Sequence, residues 1–394
     1  NAYGSLRHIL IQFALQWYHV PEWFCDFVFQ YYDSLFAMVT TLEWDTDPFA
    51  YAIGVFQGCV ASAILFLIAY QLVLDFVKQF GTEPYVFKGD SETPELEDSI
   101  QLLQQAYADD HGTVNCSTSG ARHSAQCLQT IYDWTRCLVA KPSKCWAIGL
   151  TDRRFLPADH KQHRISYGPF DPEIAINETL INYLHDKAFK YLGRLMYANL
   201  KEDQILGELT KNFDKWMKTV NDEPISGASK AWIYEFMILA YLRWPFLVYN
   251  FSINSVLPME KTATRYLKSW YRAHKSLNPR VLYLPRSDHG LGITSISTCF
   301  KSMQVTGRSL VKQSTDAVTS RVYKLVQNAE AKSRSKQWRP SQELESIESQ
   351  LQFKADFGGQ SSRLGLGYNT KATYKCGSRK QRRKLVTAHL KRSE

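Results

Sequence analysis

The sequence predicts a mixed α+β fold, and three observations carry the prediction. Apolar residues recur at helical spacing in two runs near the start, Leu6–Tyr18 and Pro21–Tyr32. An acidic pair, Asp109-Asp110, sits between the apolar-leaning flanks Ile100-Gln-Leu-Leu and Thr113-Val114, a pattern of strand, tight turn and strand. From Lys201 to about Ser276 the pattern is again helical, with long amphipathic runs broken at Pro224-Ile-Ser-Gly and Pro245.

Bulk composition bounds the class. A chain of 394 residues has room for two or three domains, and 45% hydrophobic residues exclude an intrinsically disordered protein. The net charge of +9 is unevenly placed: residues 300–394 carry 20 Lys/Arg against 7 Asp/Glu, while residues 1–299 carry 27 against 31. A basic tail beside a near-neutral body points to a polyanionic partner, nucleic acid foremost. The eight cysteines form no Cys-x-x-Cys pair and read as reduced thiols of an intracellular protein of nucleus or cytoplasm. Triplets of glycosylation type at Asn115, Asn177 and Asn250 are read as chance matches. The chain begins at Asn1, directly in a helical pattern, and is taken as a fragment.

Taken in order, Phe36–Trp44 alternates and reads as strand. Residues 48–74 contain no charge, and their length suffices for a transmembrane helix. Gln57, Ser62, Gln71, the Gly58-Cys59 interruption, Asp75 at the exit and the lack of a second comparable span favour a buried helix entered through a glycine-bearing loop. Thr82–Asp98 reads as a polar surface insertion, Ala121–Leu138 as helix, Lys141–Lys144 as turn and Cys145–Leu150 as strand. A further strand is expected at Arg164–Tyr167, and Phe189–Met196 reads as a strand bending at Gly193. Residues 300–330 read as helical; the remainder, ending in the basic run Arg379–Lys384, reads as loosely ordered.

The acidic hairpin is the strongest chemical signal. Adjacent carboxylates at one tight turn supply the hard oxygen ligands magnesium requires, while leaving positions for substrate phosphates. By themselves two such residues make an ordinary acidic turn. Other blocks stand around them in a fixed order.

Read together, these blocks resemble a reverse transcriptase of the non-LTR (LINE-type) retrotransposons, over roughly residues 1–300. Asn1-Ala-Tyr-Gly-Ser-Leu-Arg-His is similar to the end of that family's first palm block. Gly54-Val-Phe-Gln-Gly-Cys-Val-Ala-Ser-Ala-Ile-Leu-Phe is similar to its template-grip block, with Ala63 where the family usually has Pro. Tyr107-Ala-Asp-Asp matches the catalytic hairpin, and Leu128–Trp134 with Lys141-Pro-Ser-Lys-Cys the next palm block. Phe189-Lys-Tyr-Leu-Gly matches the primer grip, and His289-Gly-Leu-Gly-Ile-Thr-Ser-Ile a segment that follows the thumb.

The resemblance implies a right-hand polymerase fold with palm and part of the fingers over 1–185, primer grip and helical thumb over 186–290, and a basic extension over 291–394. It implies RNA-directed DNA synthesis from dNTPs on an RNA template with a DNA or RNA primer, using two magnesium ions, with manganese as a substitute. Asp109 is implied as the ligand bridging both ions and Asp110 as its weaker partner. The family's first metal-binding Asp would fall three residues before Asn1. Tyr3 is implied as the aromatic that excludes a ribose 2′-hydroxyl, and Gln57, Gly58, Ser62 and Tyr107 as neighbours of nucleotide or template. Lys144 is implied as proton donor or electrostatic partner of pyrophosphate; Phe189, Lys190, Tyr191 and Gly193 as support for the primer end. Arg194, Lys201, Lys211, Lys215, Lys218, Arg265, Lys268 and Arg272 are basic candidates for phosphate contact in the thumb. A fused endonuclease domain outside this chain would fit the family. The alternatives are a domesticated nucleic-acid-binding remnant without catalysis, a group II intron-type reverse transcriptase, and a membrane protein built on residues 48–74.

Overall fold

The computed structural model describes residues 2–56, 58–88, 99–152, 167–184, 188–197, 202–332, 338–358 and 378–393. Gln57, Lys201, most of the polar insertion ending at Asp98 and residues 164–166 of the expected strand lie outside them. The fold is mixed α+β, with small two-stranded sheets that are mostly antiparallel. Two compact units emerge, one mainly of residues 1–87 and 101–192, the other mainly of residues 200–394.

The first unit is built on the uncharged window. Helix Val60–Phe80 buries Leu65, Phe66, Ala69, Tyr70, Leu72, Val73 and Val77, and packs against helices His8–Trp17 and Thr118–Thr135. Each large side chain so buried contributes about 1.5–3 kcal/mol. Leu10, Ile11, Ala14 and Leu15, then Cys25, Val28 and Tyr32 of helix Glu22–Asp33, join the same core. The two early helices therefore form where helical periodicity placed them. Of the polar groups that argued against a membrane span, Gln71 and Asp75 find partners within the unit. Tyr18 donates to Asp75 Oδ2 at 2.5 Å, and Gln71 Nε2 donates to Asp75 Oδ1 at 2.8 Å.

A second run, Gly227–Val248, is also long and apolar enough to cross a membrane, which the sequence reading had not anticipated because Lys230, Glu235 and Arg243 interrupt it. Two such helices, judged by length and composition, do not indicate a membrane protein. Of the strand expected over Phe36–Trp44, only Phe36-Ala37 pairs, with Phe49-Ala50, and Thr40 bridges Asp45. Thr41 draws the intervening chain into a turn instead, its hydroxyl accepting from the Glu43 and Trp44 amides.

Before the long helix the chain makes a tight approach at Gly54. Its φ is +92°, its N–H donates to Leu6 O at 2.8 Å, and His8 Nε2 donates to its carbonyl at 2.8 Å. A Cβ there would stand 2.9 Å from Gly4 O. Gly54→Ala combines a left-handed backbone with a backbone clash, and is expected to destabilise the unit by about 1–3 kcal/mol, read from the urea midpoint. An unchanged midpoint would show that the loop relaxes.

The second unit is helical. Helices Asp203–Asp222, Gly227–Ile233, Leu239–Val248 and Ile253–Trp270 enclose Phe213, Met217, Tyr234, Leu242, Phe246, Val256 and Leu267. Ser226 and Ser252 begin two of them, each hydroxyl accepting the amide three residues on. The break expected at Pro224–Gly227 occurs. That expected at Pro245 does not: Pro245 lies inside its helix, and the chain turns at residues 249–252. A π-helical turn, Tyr234–Ile238, joins the two halves of this run.

The basic extension differs from expectation. Residues 340–358 and 379–393, expected to be loosely ordered, are helical, and pack with helices Ile296–Lys312 and Ala317–Lys332. Leu344, Ile347, Leu351, Val386 and Leu390 meet Val305 and Tyr323 in a second small core. Around it Arg308 grips Glu330 through Nε and Nη2 at 2.9 and 2.7 Å, and Lys312 meets Glu348 at 2.7 Å. The helices form because a narrow apolar stripe, diluted by polar residues, finds a partner surface.

Candidate metal-binding hairpin

Strands Gln104–Tyr107 and Asp110–Thr113 pair antiparallel, with Tyr107 opposite Asp110 and Ala106 opposite His111. The bend is therefore Ala108-Asp109. Asp110, expected at the bend with Asp109, opens the returning strand instead, and Gly112 lies within that strand opposite Gln105. Ala108 takes φ +53°, as a two-residue hairpin turn requires. Left-handed alanine costs about 1–2 kcal/mol, and the methyl group offsets this by packing on the main core.

Strand alternation divides the hairpin into two faces. Gln104 and His111 face the long helix: Gln104 Nε2 donates to Leu74 O at 2.6 Å, and His111 Nδ1 lies 3.2 Å from Tyr70 Oη. Gln105, Tyr107 and Asp110 occupy the other face, and Tyr107 is 68% exposed. Asp109 and Asp110 are both exposed.

The carboxylates make themselves felt on three tyrosines. Burial raises the Tyr70 phenol far above its usual range, and Tyr132, Asp109 and Asp110 push it further. Burial also raises Tyr132, whose hydroxyl is 2.7 Å from that of Tyr70, and Asp109 adds to the shift. Tyr191 is raised by burial and by Asp110, against a hydrogen bond with Gln105 that lowers it. Both carboxylates therefore bear on Tyr70, with Asp109 acting also on Tyr132 and Asp110 on Tyr191. His111 is held neutral, burial lowering its pKa to about 4.

Among the described residues no group of three or more His, Cys, Asp and Glu gathers at one place. Asp109 and Asp110 offer a two-carboxylate set, which fits magnesium, a cation commonly held by one or two carboxylates with its remaining positions kept by water and phosphate.

The other predicted residues of this unit fall as follows. Tyr3, in the short helical turn Ala2–Ser5, is half-buried and stacks on Phe66 with centroids 4.3 Å apart. Its carbonyl accepts from Val55 N at 2.9 Å, which joins the first block to the glycine-bearing loop. Gly58 has φ +105° and open space where a Cβ would stand. Ser62 is 2% exposed, in the first turn of the long helix, so its hydroxyl faces the core. Lys144 is exposed at the end of the 3-10 turn Pro142–Lys144. Phe189 packs on Trp146 with centroids 5.5 Å apart, while Lys190 is exposed. Strands Phe189–Tyr191 and Arg194–Met196 lie either side of Leu192 and Gly193, both at positive φ.

In the second unit Lys211, Lys215 and Lys218 form an exposed row on one helix face, opposite Phe213 and Met217. Arg265 is exposed too, over the Tyr266 ring. Arg194 is engaged otherwise, 2.7 Å from Glu202 and over the Tyr249 ring. Lys268 donates to Lys275 O at 2.9 Å, and Arg272 is exposed at φ +52°. The segment around Thr294 is pinned by carboxylates: Thr294 N and Oγ1 donate to Glu235, and Ser297 N to Glu260.

Four residues around the hairpin escaped the sequence reading. Phe66 and Tyr70 are one helical turn apart, a spacing visible in the uncharged window but indistinguishable there from ordinary core. His111 adjoins the acidic pair, and nothing in its neighbours marks it as an anchor to the long helix. Asn182 Nδ2 donates to the carbonyls of Pro142, Ser143 and Cys145 at 3.3, 2.9 and 3.0 Å, which fixes the loop carrying Lys144. No local pattern announces a partner so distant in sequence. Compared with known proteins, the chain matches no family model and no curated sequence.

Proposed function

We propose that this chain is the palm and thumb region of an RNA-directed DNA polymerase of the non-LTR type, adding dNTPs to a primer 3′-hydroxyl. One observation carries the reading: Tyr107-Ala-Asp-Asp forms a tight hairpin that leaves both carboxylates exposed while its other face is anchored to the long helix. Rigid backing with open acidic ligands is what a metal-assisted phosphoryl transfer needs.

Asp109 and Asp110 would hold magnesium, which supplies Lewis-acid stabilisation of the leaving pyrophosphate and a lowered pKa for the attacking hydroxyl. The chain's own residues do the rest. Tyr3, stacked on Phe66, would fill the space a ribose 2′-hydroxyl needs. Gly58 leaves room for close approach of the nucleotide to the backbone. Tyr191, beside Asp110, belongs to the segment that would hold the primer end, and Lys144 would offset charge on the pyrophosphate. Lys211, Lys215 and Lys218 are the exposed cations suited to duplex phosphates.

The test is primer extension on an RNA template with magnesium, using the chain carried upstream through the first palm block. Extension with dNTPs and not with NTPs is expected. Extension with NTPs would replace the reading by an RNA polymerase. RNA binding without extension would replace it by the non-catalytic remnant.

A further inference from the structure

An unbroken aromatic column runs through the first unit from Tyr3 to the acidic hairpin. Tyr3 stacks on Phe66 at 4.3 Å with planes 11° apart, and Phe66 stacks on Tyr70 at 5.7 Å and 15°. Tyr70 is 3% exposed and Phe66 fully buried, so neither ring has room to swing. At the far end the Tyr70 hydroxyl lies 2.7 Å from Tyr132 Oη and 3.2 Å from His111 Nδ1, and His111 is the second residue of the strand opened by Asp110. Ring packing alone would be served by phenylalanine at position 70. The buried hydroxyl is the part that packing does not explain, and burying it demands the partners it has.

We infer that Tyr70 is a positioning residue: its ring fixes Tyr3 through Phe66, while its hydroxyl ties down the strand bearing Asp110. The nucleotide-facing aromatic and the carboxylates are thereby set in one register. This rests on the polymerase reading for what the register serves, but the mechanical link stands on the geometry alone. Catalytic groups must hold position to about 0.5 Å, and side chains locked by packing and hydrogen bonds are how proteins achieve this. Tyr70 touches no substrate. Its effect passes through His111 at one end and Phe66 at the other.

The test compares wild type, Tyr70→Phe and Tyr132→Phe by two readouts. Hydrogen exchange on the chain itself follows the amides of residues 105–112, with helix Asp203–Asp222 as internal reference. Tyr70→Phe is expected to speed exchange in the hairpin by tenfold or more and to leave the reference helix unchanged; Tyr132→Phe should act in the same direction, more weakly. Single-turnover extension with the upstream-extended chain is expected to show kcat for dNTPs lowered about tenfold at nearly constant KM, with discrimination against NTPs retained because the stack on Phe66 survives. Unchanged hairpin exchange in Tyr70→Phe would overturn the inference, as would faster exchange spread evenly over the hairpin and the reference helix. If wild type extends no primer, the polymerase reading fails by itself and the exchange measurement still decides the link.

Discussion

On the proposed polymerase reading, Asp109→Asn is expected to lower primer extension by about 10³-fold, because a metal ion supplies several kcal/mol of transition-state charge stabilisation and each 1.36 kcal/mol is tenfold in rate. The substitution keeps the size of the side chain at an exposed turn, so folding is spared: the unfolding midpoint should stay within about 0.5 kcal/mol of wild type. Asp110→Asn is expected to cost less, about 10- to 100-fold, the effect typical of a group that tunes a metal site without dominating it. Both carboxylates act on Tyr70, while Asp109 acts also on Tyr132 and Asp110 on Tyr191. Manganese binding followed by loss of the free-ion paramagnetic signal separates affinity from chemistry. A larger loss at Asp110 would reverse the assigned roles, and full activity of Asp109→Asn would remove the hairpin from the chemistry.

In chelator-containing buffer the first unit loses stability between pH 6.5 and 4, and His111 accounts for up to about 3 kcal/mol of the loss. Its folded pKa is about 4 against an ordinary value of 6.5, lowered by burial. Between those values the unfolded chain binds a proton that the folded chain refuses, so stability rises with pH across the window and is flat above it. The figure follows from 1.36 kcal/mol per pKa unit. His111→Gln cannot take up that proton, so its unfolding midpoint should fall less steeply with acid. Urea unfolding at several pH values for both proteins checks this; parallel curves would show that His111 protonates freely when folded.

How much of this was legible in the sequence varies from element to element. Helical periodicity at Leu6–Tyr18 and Pro21–Tyr32 became the helices His8–Trp17 and Glu22–Asp33, because a stripe of apolar residues has one stable use. The acidic hairpin was legible for a similar reason: short flanks around a polar pair have few other conformations. Its fine geometry was not. Which residues bend depends on register, and register was set by Gln104 and His111 reaching the long helix, with Ala108 accepting a left-handed backbone while its half-buried methyl group packs against the core. The break expected at Pro245 failed because a proline can be carried inside a helix whose neighbours hold it; Gln304 donates to the carbonyls of Phe246 and Tyr249, at the helix end, at 2.7 and 2.8 Å.

By itself the sequence determined the mixed fold class, the position of the acidic turn and the core role of the uncharged window, since each depends on residues close together in the chain. Only the tertiary structure decided that residues 340–358 and 379–393 fold as helices, that Asn182 holds the Lys144 loop, and that Tyr3 and the acidic hairpin are joined through Phe66 and Tyr70. Those outcomes depend on pairs of residues separated by tens of positions, and the energy that selects them is released only when distant surfaces close on each other and exclude water.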